Sequence, residues 1–180
     1  VIVCPLNCLE LVDGEPRIAK PCQTCGICAR VCPKLHAPMT ELEKFVFGRE
    51  RDNEERFGIH RRVIIARAND EKVLKFCQDG GVVTSLLAFA LNSGMIDGAI
   101  VSGLSEKEPL KPIPRFVTNP EELLACAGTR YTYSPNLLAL KEAVLQKRRM
   151  VAFVGVPEQI SAIRNIQMVP LKKYAVTALN

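Results

Sequence analysis

Tryptophan is missing from this sequence of 180 residues, and aromatic side chains make up only 6% of it. Proteins that bind single-stranded nucleic acid stack bases on such side chains, so we expect no nucleic-acid partner. Long apolar runs are missing too. None reaches the roughly 18–20 residues that cross a bilayer, so we expect no transmembrane segment. The opening Val1-Ile-Val-Cys4 also lacks the basic and apolar regions of a secretory leader.

Cysteine is scarce over most of the chain and concentrated at its start. Six of the eight cysteines lie within the first 32 residues, whereas Cys77 and Cys126 stand alone beside apolar segments. A secreted disulfide scaffold would spread its cysteines through a small, loop-rich chain. The clustering indicates metal binding in the cytoplasm, or on the cytoplasmic side of a membrane complex. Cys77 and Cys126 are predicted to be buried structural thiols.

The cysteine spacing is that of an iron–sulfur motif. The sequence Cys22-Gln-Thr-Cys25-Gly-Ile-Cys28-Ala-Arg-Val-Cys32-Pro33 follows the pattern with which bacterial ferredoxins hold 4Fe-4S clusters. In that fold the cysteine before proline binds the cluster of the other loop. We therefore predict that Cys22, Cys25 and Cys28 share one cluster with Cys4. Cys32 would bind a second cluster, completed from outside this chain.

Two alternatives concern the same cysteines. A zinc site built from Cys4, Cys8, Cys22 and Cys25 would use paired knuckles, but it leaves the other two cysteines of the motif unexplained. Cys8 itself lies where a small residue would suffice, and we predict a packed thiol and not a ligand.

The first 39 residues read as a ferredoxin-like segment. Asp13-Gly14 is a strong hairpin turn between a strand near Leu9–Leu11 and a return strand at Arg17-Ile18-Ala19. The opening Cys4-Pro5 resembles the end of a second cluster motif, so we expect the chain to be a piece of a longer protein. Residues 40–61 are predicted to be a linker, with a short helix from Thr40 and a charged, solvated run.

Residues 62–180 alternate strand-like and helix-like stretches, which predicts an α/β domain with a mostly parallel sheet. The predicted strands are Val63–Ala68, Gly98–Gly103, Pro114–Thr118 and Met150–Gly155. In such sheets ligands bind beyond the carboxyl ends of the strands, beside helix N-termini that attract phosphate. Gly80-Gly81 allows close approach to a ligand, or simply forms a tight turn.

Four stretches together resemble the beta-subunit family of coenzyme F-420 hydrogenases and dehydrogenases. They are Cys77-Gln-Asp-Gly-Gly-Val-Val-Thr-Ser85, Ile96-Asp-Gly-Ala-Ile-Val101, Gly128-Thr-Arg-Tyr-Thr-Tyr-Ser-Pro135 and Gly155-Val-Pro-Glu-Gln-Ile160. The family includes formate dehydrogenase beta subunits, a sulfite reductase and a chlorophyll-type reductase. The resemblance implies an iron–sulfur flavoprotein: an oxidoreductase subunit that exchanges electrons between coenzyme F-420 and a larger redox complex. That complex would be of the hydrogenase, dehydrogenase, formate dehydrogenase or heterodisulfide reductase type.

The resemblance also implies an FAD site. Its predicted residues are Gln78, Asp79, Gly80, Gly81, Thr84, Gly128, Thr129, Arg130, Tyr131, Thr132 and Ser134. Arg130 would be an anion contact, because its guanidinium suits phosphate or carboxylate.

Two departures leave alternatives open. The family commonly has cysteine at the position of Glu158, where it helps to hold a cluster, and the family continues well past Asn180. A flavin-free electron carrier or scaffold and a reductase acting on a tetrapyrrole are therefore the alternatives.

Overall fold

The computed structural model describes residues 1–169 and divides them into two compact units. The first consists of Val1–Val63 together with the described residues from Pro157 onward, and the second is Ile64–Val156. This differs from the predicted division, which placed residues beyond 156 in the α/β domain. Residues 170–180 of that predicted domain lie outside the described part of the chain. Within residues 1–169, no helix has the length and apolar character needed to cross a membrane.

The helices and strands follow the chain in a simple order. They are β1 (Leu9–Val12), β2 (Glu15–Ile18), α1 (Ile27–Val31), α2 (Met39–Phe47), α3 (Glu71–Phe76), α4 (Val82–Asn92), β3 (Gly98–Leu104), β4 (Pro112–Val117), α5 (Pro120–Ala125), a 3-10 helix (Asn136–Ala139), α6 (Leu140–Leu145), β5 (Val151–Phe153) and α7 (Pro157–Met168).

The first unit joins the β1–β2 hairpin to three helices. Asp13 and Gly14 both have positive φ, 51° and 81°, which suits the two-residue turn that joins antiparallel strands. Helix α7 packs against α1 and α2 through the buried side chains of Ala162, Ile163 and Ile166. This contact brings the last described helix onto the segment that carries the cysteine motif.

The predicted linker has its own structure within this unit. Helix α2 begins at Met39, one residue before the predicted start, and ends at Gly48 with φ of 74°. Beyond it, Arg51 forms an ion pair with Glu43, which is only 8% exposed, and Arg49 pairs with Glu55 at 2.6 Å. The charged run is therefore held against the end of α2 by ion pairs.

The second unit is a three-stranded sheet with helices on both faces, in the strand order β4-β3-β5. The predicted α/β class is confirmed, but the sheet is mixed: β3 pairs parallel with β5 and antiparallel with β4. The reason is the short connection at residues 105–111, which can close a hairpin but cannot carry a crossover helix. On one face, Ala99, Val101 and Val117 form an apolar core with Leu123 of α5.

The strand predicted at Val63–Ala68 is wrong. These residues carry no regular structure, and the side chains of Val63 and Ile65 are 85% and 104% exposed. The segment is tied to the rest of its unit by the N–H of Ala68, which donates to the carbonyl of Gly80 at 2.7 Å. An apolar, β-branched run becomes a strand only where a partner edge is available to receive its hydrogen bonds.

Candidate functional site

Five cysteines line one cavity in the first unit. The cavity has a volume of about 260 Å³, and its cysteines are Cys4, Cys8, Cys22, Cys25 and Cys28. Leu9 and Ile18, which face each other across the hairpin, form part of the same wall. The structure therefore brings together the four residues predicted to share a cluster, with Cys8 beside them.

The backbone around the cavity is shaped for sulfur ligands. Gly26 adopts φ of 74° at the start of α1, a conformation that favours glycine, and turns the chain between two of the cysteines. The N–H of Thr24 donates to Cys22 Sγ at 3.3 Å, and the N–H of Cys8 donates to Cys4 Sγ at 3.2 Å. Such N–H···S bonds stabilise thiolates and tune cluster potentials.

Cys4 and Cys8 differ in their protonation chemistry. The hydrogen bond from the Cys8 backbone lowers the pKa of the Cys4 thiol, which favours its ligand form. Burial raises the pKa of the Cys8 thiol, and Cys8 Sγ donates to the carbonyl of Pro21 at 3.2 Å. A packed, protonated thiol at Cys8 agrees with these contacts.

The donor set fits a 4Fe-4S cluster. A cubane binds four thiolates around its outside, and Cys4, Cys22, Cys25 and Cys28 surround one cavity in this way. A single zinc ion needs donors that converge on one point. Among residues 1–169, no three Cys, His, Asp or Glu side chains converge closely enough to hold one ion.

Cys32 lies apart from the lining, where α1 ends. Its segment is anchored by Asn165 of α7, which is only 2% exposed. The Asn165 side-chain amide donates to the carbonyls of Val31 and His36 at 3.4 and 3.1 Å. Asn165 thus fixes the backbone on both sides of Cys32. Sequence analysis missed this residue. The available signal was a polar side chain among the apolar residues of the buried helix face.

In the second unit, the predicted loops meet at one edge of the sheet. The loop before α4 lies beside the loop after α5, because a Cβ placed on Gly128 would lie 3.4 Å from the carbonyl oxygen of Phe76. Helix α5 ends at the same edge, because a Cβ placed on Gly103 would lie 3.3 Å from Cys126 Sγ. The loops 77–81 and 126–135 therefore lie where ligands bind in α/β sheets.

A side-chain hydrogen bond joins these two loops directly: Gln78 Nε2 donates to the hydroxyl of Tyr131. Both residues are exposed, and Tyr131 is 81% exposed. Of the other predicted FAD residues, Asp79, Gly128, Thr129 and Thr132 are exposed, whereas Gly80, Gly81, Thr84, Arg130 and Ser134 are half-buried. The structure collects the predicted residues at one solvent-facing edge.

The two glycines of the first loop are explained by the turn itself. Gly81 has φ of 67°, and a Cβ there would lie 2.8 Å from Val73 Cγ1; a Cβ on Gly80 would lie 3.0 Å from the Ala66 carbonyl oxygen. Of the two readings from sequence, tight packing of the turn is the one that these contacts support. Gly81 also leaves α4 without a side-chain cap, so the N–H groups of its first turn remain available to an anion.

Arg130 has a different role from the one expected. Its guanidinium donates to the carbonyls of Cys126, Ala127 and Gly128 at 3.2 Å each, and so caps the carboxyl end of α5. Its Nε is buried without a hydrogen-bond partner. Most of its donors are occupied by the protein, so Arg130 shapes the loop and offers little to an anion.

The loop is fixed at its other end by Asn136, a second residue that sequence analysis missed. Asn136 is 4% exposed; its Oδ1 accepts from the Ser134 hydroxyl at 2.6 Å, and its Nδ2 donates to the Val154 carbonyl at 2.9 Å. This connects the predicted flavin loop to the end of β5. Ser134-Pro135 is read from the sequence as the start of a helix, so no signal distinguished the asparagine that follows.

The two isolated cysteines behave as packing residues. Cys126 packs against the apolar core, and burial raises the pKa of its thiol. Cys77 Sγ donates to the carbonyl of Asp79 at 3.1 Å and thereby helps to close the turn before α4. Both cysteines are half-buried, not fully buried as predicted. Their contacts agree with a structural role.

Comparison with known proteins gives the family. Residues 63–141 match the family described as coenzyme F-420 hydrogenase/dehydrogenase, beta subunit N-terminal region. The chain is 45% identical to the coenzyme F-420 hydrogenase subunit beta of Methanothermobacter thermautotrophicus, over 63% of this chain and 40% of that protein. Residues 63–141 belong to this family. The resemblance found in the sequence is confirmed.

The chain is also similar to a sulfite reductase and to a chain of a solved hydrogenase complex. The coenzyme F-420-dependent sulfite reductase of Methanocaldococcus jannaschii is 34% identical over 94% of this chain and 24% of its own length. A chain from the solved F-420-reducing NiFe hydrogenase complex of Methanosarcina barkeri superposes with a TM-score of 0.57 at 39% identity. That match covers 61% of this chain and 38% of the hydrogenase chain. The chain thus spans about two fifths of the hydrogenase beta subunit first matched.

The family match covers both loops that meet at the sheet edge, but it does not reach the cysteine cavity or Glu158. Glu158 is exposed in the first turn of α7. The sulfite reductase match, by contrast, extends over almost the whole chain. Because the cysteine cavity lies outside the family match, its assignment as a cluster site depends on its own geometry.

Proposed function

We propose that this chain is the electron-transferring part of an oxidoreductase that exchanges electrons between coenzyme F-420 and a larger redox complex. FAD and 4Fe-4S clusters would be its carriers, and other subunits of that complex its partners. We place the protein in the cytoplasm, because exposed cysteines such as Cys22 and Cys25 need a reducing compartment to stay free of disulfides. The observation that carries the proposal is the cavity lined by Cys4, Cys22, Cys25 and Cys28.

In this proposal the residues of the sheet edge hold the flavin. The uncapped N-terminus of α4 offers backbone N–H groups to its phosphates. The hydrogen bond between Gln78 and Tyr131 joins the two loops. Hydrogen bonds from Asn136 to the Val154 carbonyl and from Arg130 to the Cys126 carbonyl hold the second loop in place. When bound, the flavin would supply the step from electron pairs to single electrons, which clusters alone cannot perform.

The thiolates of the cavity hold the cluster that receives or supplies the single electrons. Leu9 and Ile18 line the cavity beside the cysteines. Three of these cysteines, Cys22, Cys25 and Cys28, are exposed, and solvent exposure helps to set the potential of a cluster. Cys32, held by Asn165, would present its thiolate to a second cluster completed by another part of the complex.

The experiment is anaerobic purification of the whole chain, followed by analysis of iron, sulfide and flavin. We expect both cofactors, and we expect reduced coenzyme F-420 to bleach the flavin absorbance. Gln78→Ala should weaken flavin retention up to about tenfold and leave iron unchanged, because one loop-joining hydrogen bond is lost. Cys25→Ala should lower iron and leave flavin unchanged. Glu142→Gln, on the exposed side of α6, is the matched control and should change neither.

Glu158 favours one alternative. If the carboxylate in place of cysteine reflects loss of the site beside the flavin, the chain is an electron carrier without flavin. A preparation that holds clusters, and that neither binds added FAD nor is oxidised or reduced by coenzyme F-420, would select this alternative and overturn the main proposal.

A further inference from the structure

The cysteine cavity contains one thiol more than a cubane cluster uses. Five cysteines line it, namely Cys4, Cys8, Cys22, Cys25 and Cys28. A 4Fe-4S cluster takes one thiolate at each of its iron atoms, which is one fewer. One of the five is therefore spare. The contacts of the described residues show which one it is and what it is placed to do.

The spare thiol is Cys8. Cys4 Sγ accepts a hydrogen bond from the Cys8 N–H at 3.2 Å, as a bound thiolate does, whereas Cys8 Sγ acts as a donor to the Pro21 carbonyl. The Cys8 side chain is fully enclosed, with its residue only 2% exposed. Its thiol is held in the wall of the cavity by the hydrogen bond to Pro21 and by a side-chain hydrogen bond with Cys4.

Cys4 and Cys8 belong to the same tight turn. The N–H of Asn7 donates to the Cys4 carbonyl at 3.3 Å, and Asn7 has a positive φ of 51°. The two thiols are hydrogen-bonded neighbours on this turn, so both lie at the same side of the cavity. Releasing Cys8 removes its hydrogen bonds to Cys4 and to the Pro21 carbonyl. Water can replace the donor to Pro21 because that residue is exposed.

We propose that Cys8 is a reserve ligand, which binds the iron of this cluster when the Cys4 thiolate is not available. The inference rests on the proposed function, since it requires a cluster in the cavity. In the exchange, Cys8 would break its hydrogen bond to Pro21 and take the coordination position that Cys4 leaves. Its proton would pass to the departing Cys4 thiolate or, where Cys4 is replaced, to water. The iron loses no electron and gains none, so no oxidant or reductant is needed.

The test compares four anaerobically purified whole chains: the unmodified protein, Cys8→Ala, Cys4→Ala and the double variant. We measure iron and sulfide per chain, together with the electron paramagnetic resonance spectrum of the reduced cluster. Cys8→Ala should match the unmodified protein in all three, because alanine keeps the backbone N–H that donates to Cys4. Cys4→Ala should keep at least about half of its iron, with an altered spectrum. The double variant should fall at least about fivefold, since a ligand is then missing.

The outcomes separate this inference from the proposed function. An unmodified protein without iron and sulfide counts against the proposed function, and the inference falls with it. If the unmodified protein has a cluster but Cys4→Ala loses it as completely as the double variant does, only the reserve role of Cys8 is refuted. Loss of the cluster in Cys8→Ala would make Cys8 a resident ligand and would equally overturn the inference. If Cys4→Ala cannot be obtained folded, Cys4→Ser with and without Cys8→Ala gives the same comparison.

Discussion

Replacing Asn165 by leucine is expected to loosen the backbone around Cys32. Asn165 is buried, and its amide serves two carbonyls, those of Val31 at 3.4 Å and His36 at 3.1 Å. The longer bond lies beyond the usual range and contributes little. Leucine fills a similar volume but donates nothing, so the main loss is the unsatisfied carbonyl of His36. We expect a cost of about 2 kcal/mol for this change.

Hydrogen–deuterium exchange measures that cost locally, in the protein as purified. The N–H groups of Leu35 and His36 both donate to the Cys32 carbonyl, so their exchange reports on opening of this turn. A loss of about 2 kcal/mol corresponds to about thirtyfold faster exchange. Glu158→Gln, exposed on the same helix, is the control and should alter this exchange less than about twofold.

The reasoning is refuted if the peptide covering residues 32–37 exchanges no faster in Asn165→Leu than in the control. Asn165→Asp gives a second check. It keeps the size of the side chain but removes the donors and adds a charge that the two carbonyls repel. It should therefore accelerate exchange at least as much as leucine does. If the aspartate variant behaves like the native protein, the amide does not hold the turn.

Two further predictions concern the fold. Gly81→Ala should lower the free energy of unfolding, measured by thermal melting, by about 1–3 kcal/mol more than Gly94→Ala does. The two glycines share a positive φ, but only Gly81 has a neighbour, Val73, within 3 Å of the added Cβ. Equal losses of stability would show that the contact with Val73 relaxes freely. Hydrogen bonding to Arg49 lowers the pKa of Glu55 from 4.5 to about 2, so its stabilising contribution is fully present above about pH 4.5 and is lost as the pH falls through about 2. Glu55→Gln should flatten that part of the stability-versus-pH curve, and an unchanged acid slope would contradict the assignment.

Local chemistry made part of this structure predictable. The Asp13-Gly14 turn, the start of α2 near Thr40 and the helix after Gly81 each depend on residues within one turn of chain. The cysteine spacing likewise anticipated that Cys4 would join the Cys22 loop, because it describes a loop geometry and needs no knowledge of the rest of the fold.

Contacts between distant residues were not predictable in the same way. Asn165 meets a carbonyl 134 positions earlier, and no pattern within a helix announces such a partner. Val63–Ala68 has the composition of a strand, but composition cannot supply the neighbouring strand that would pair with it. The meeting of Gln78 and Tyr131 was anticipated only in outline, from the rule that loops gather at the carboxyl edge of a sheet. The assignment of these loop residues to FAD stays a prediction.

The first unit is assembled from two separated pieces of chain, and this sets an order of events during synthesis. Helix α7, which packs on α1 and α2, leaves the ribosome only after the whole second unit has been made. Until then the nascent cysteine loop has no helix behind it, and the carbonyls flanking Cys32 lack the Asn165 amide. Domains generally fold as they emerge. We therefore expect the sheet to form first and the first unit to be completed last, so that insertion of the proposed cluster would be a late step that truncation before α7 would block.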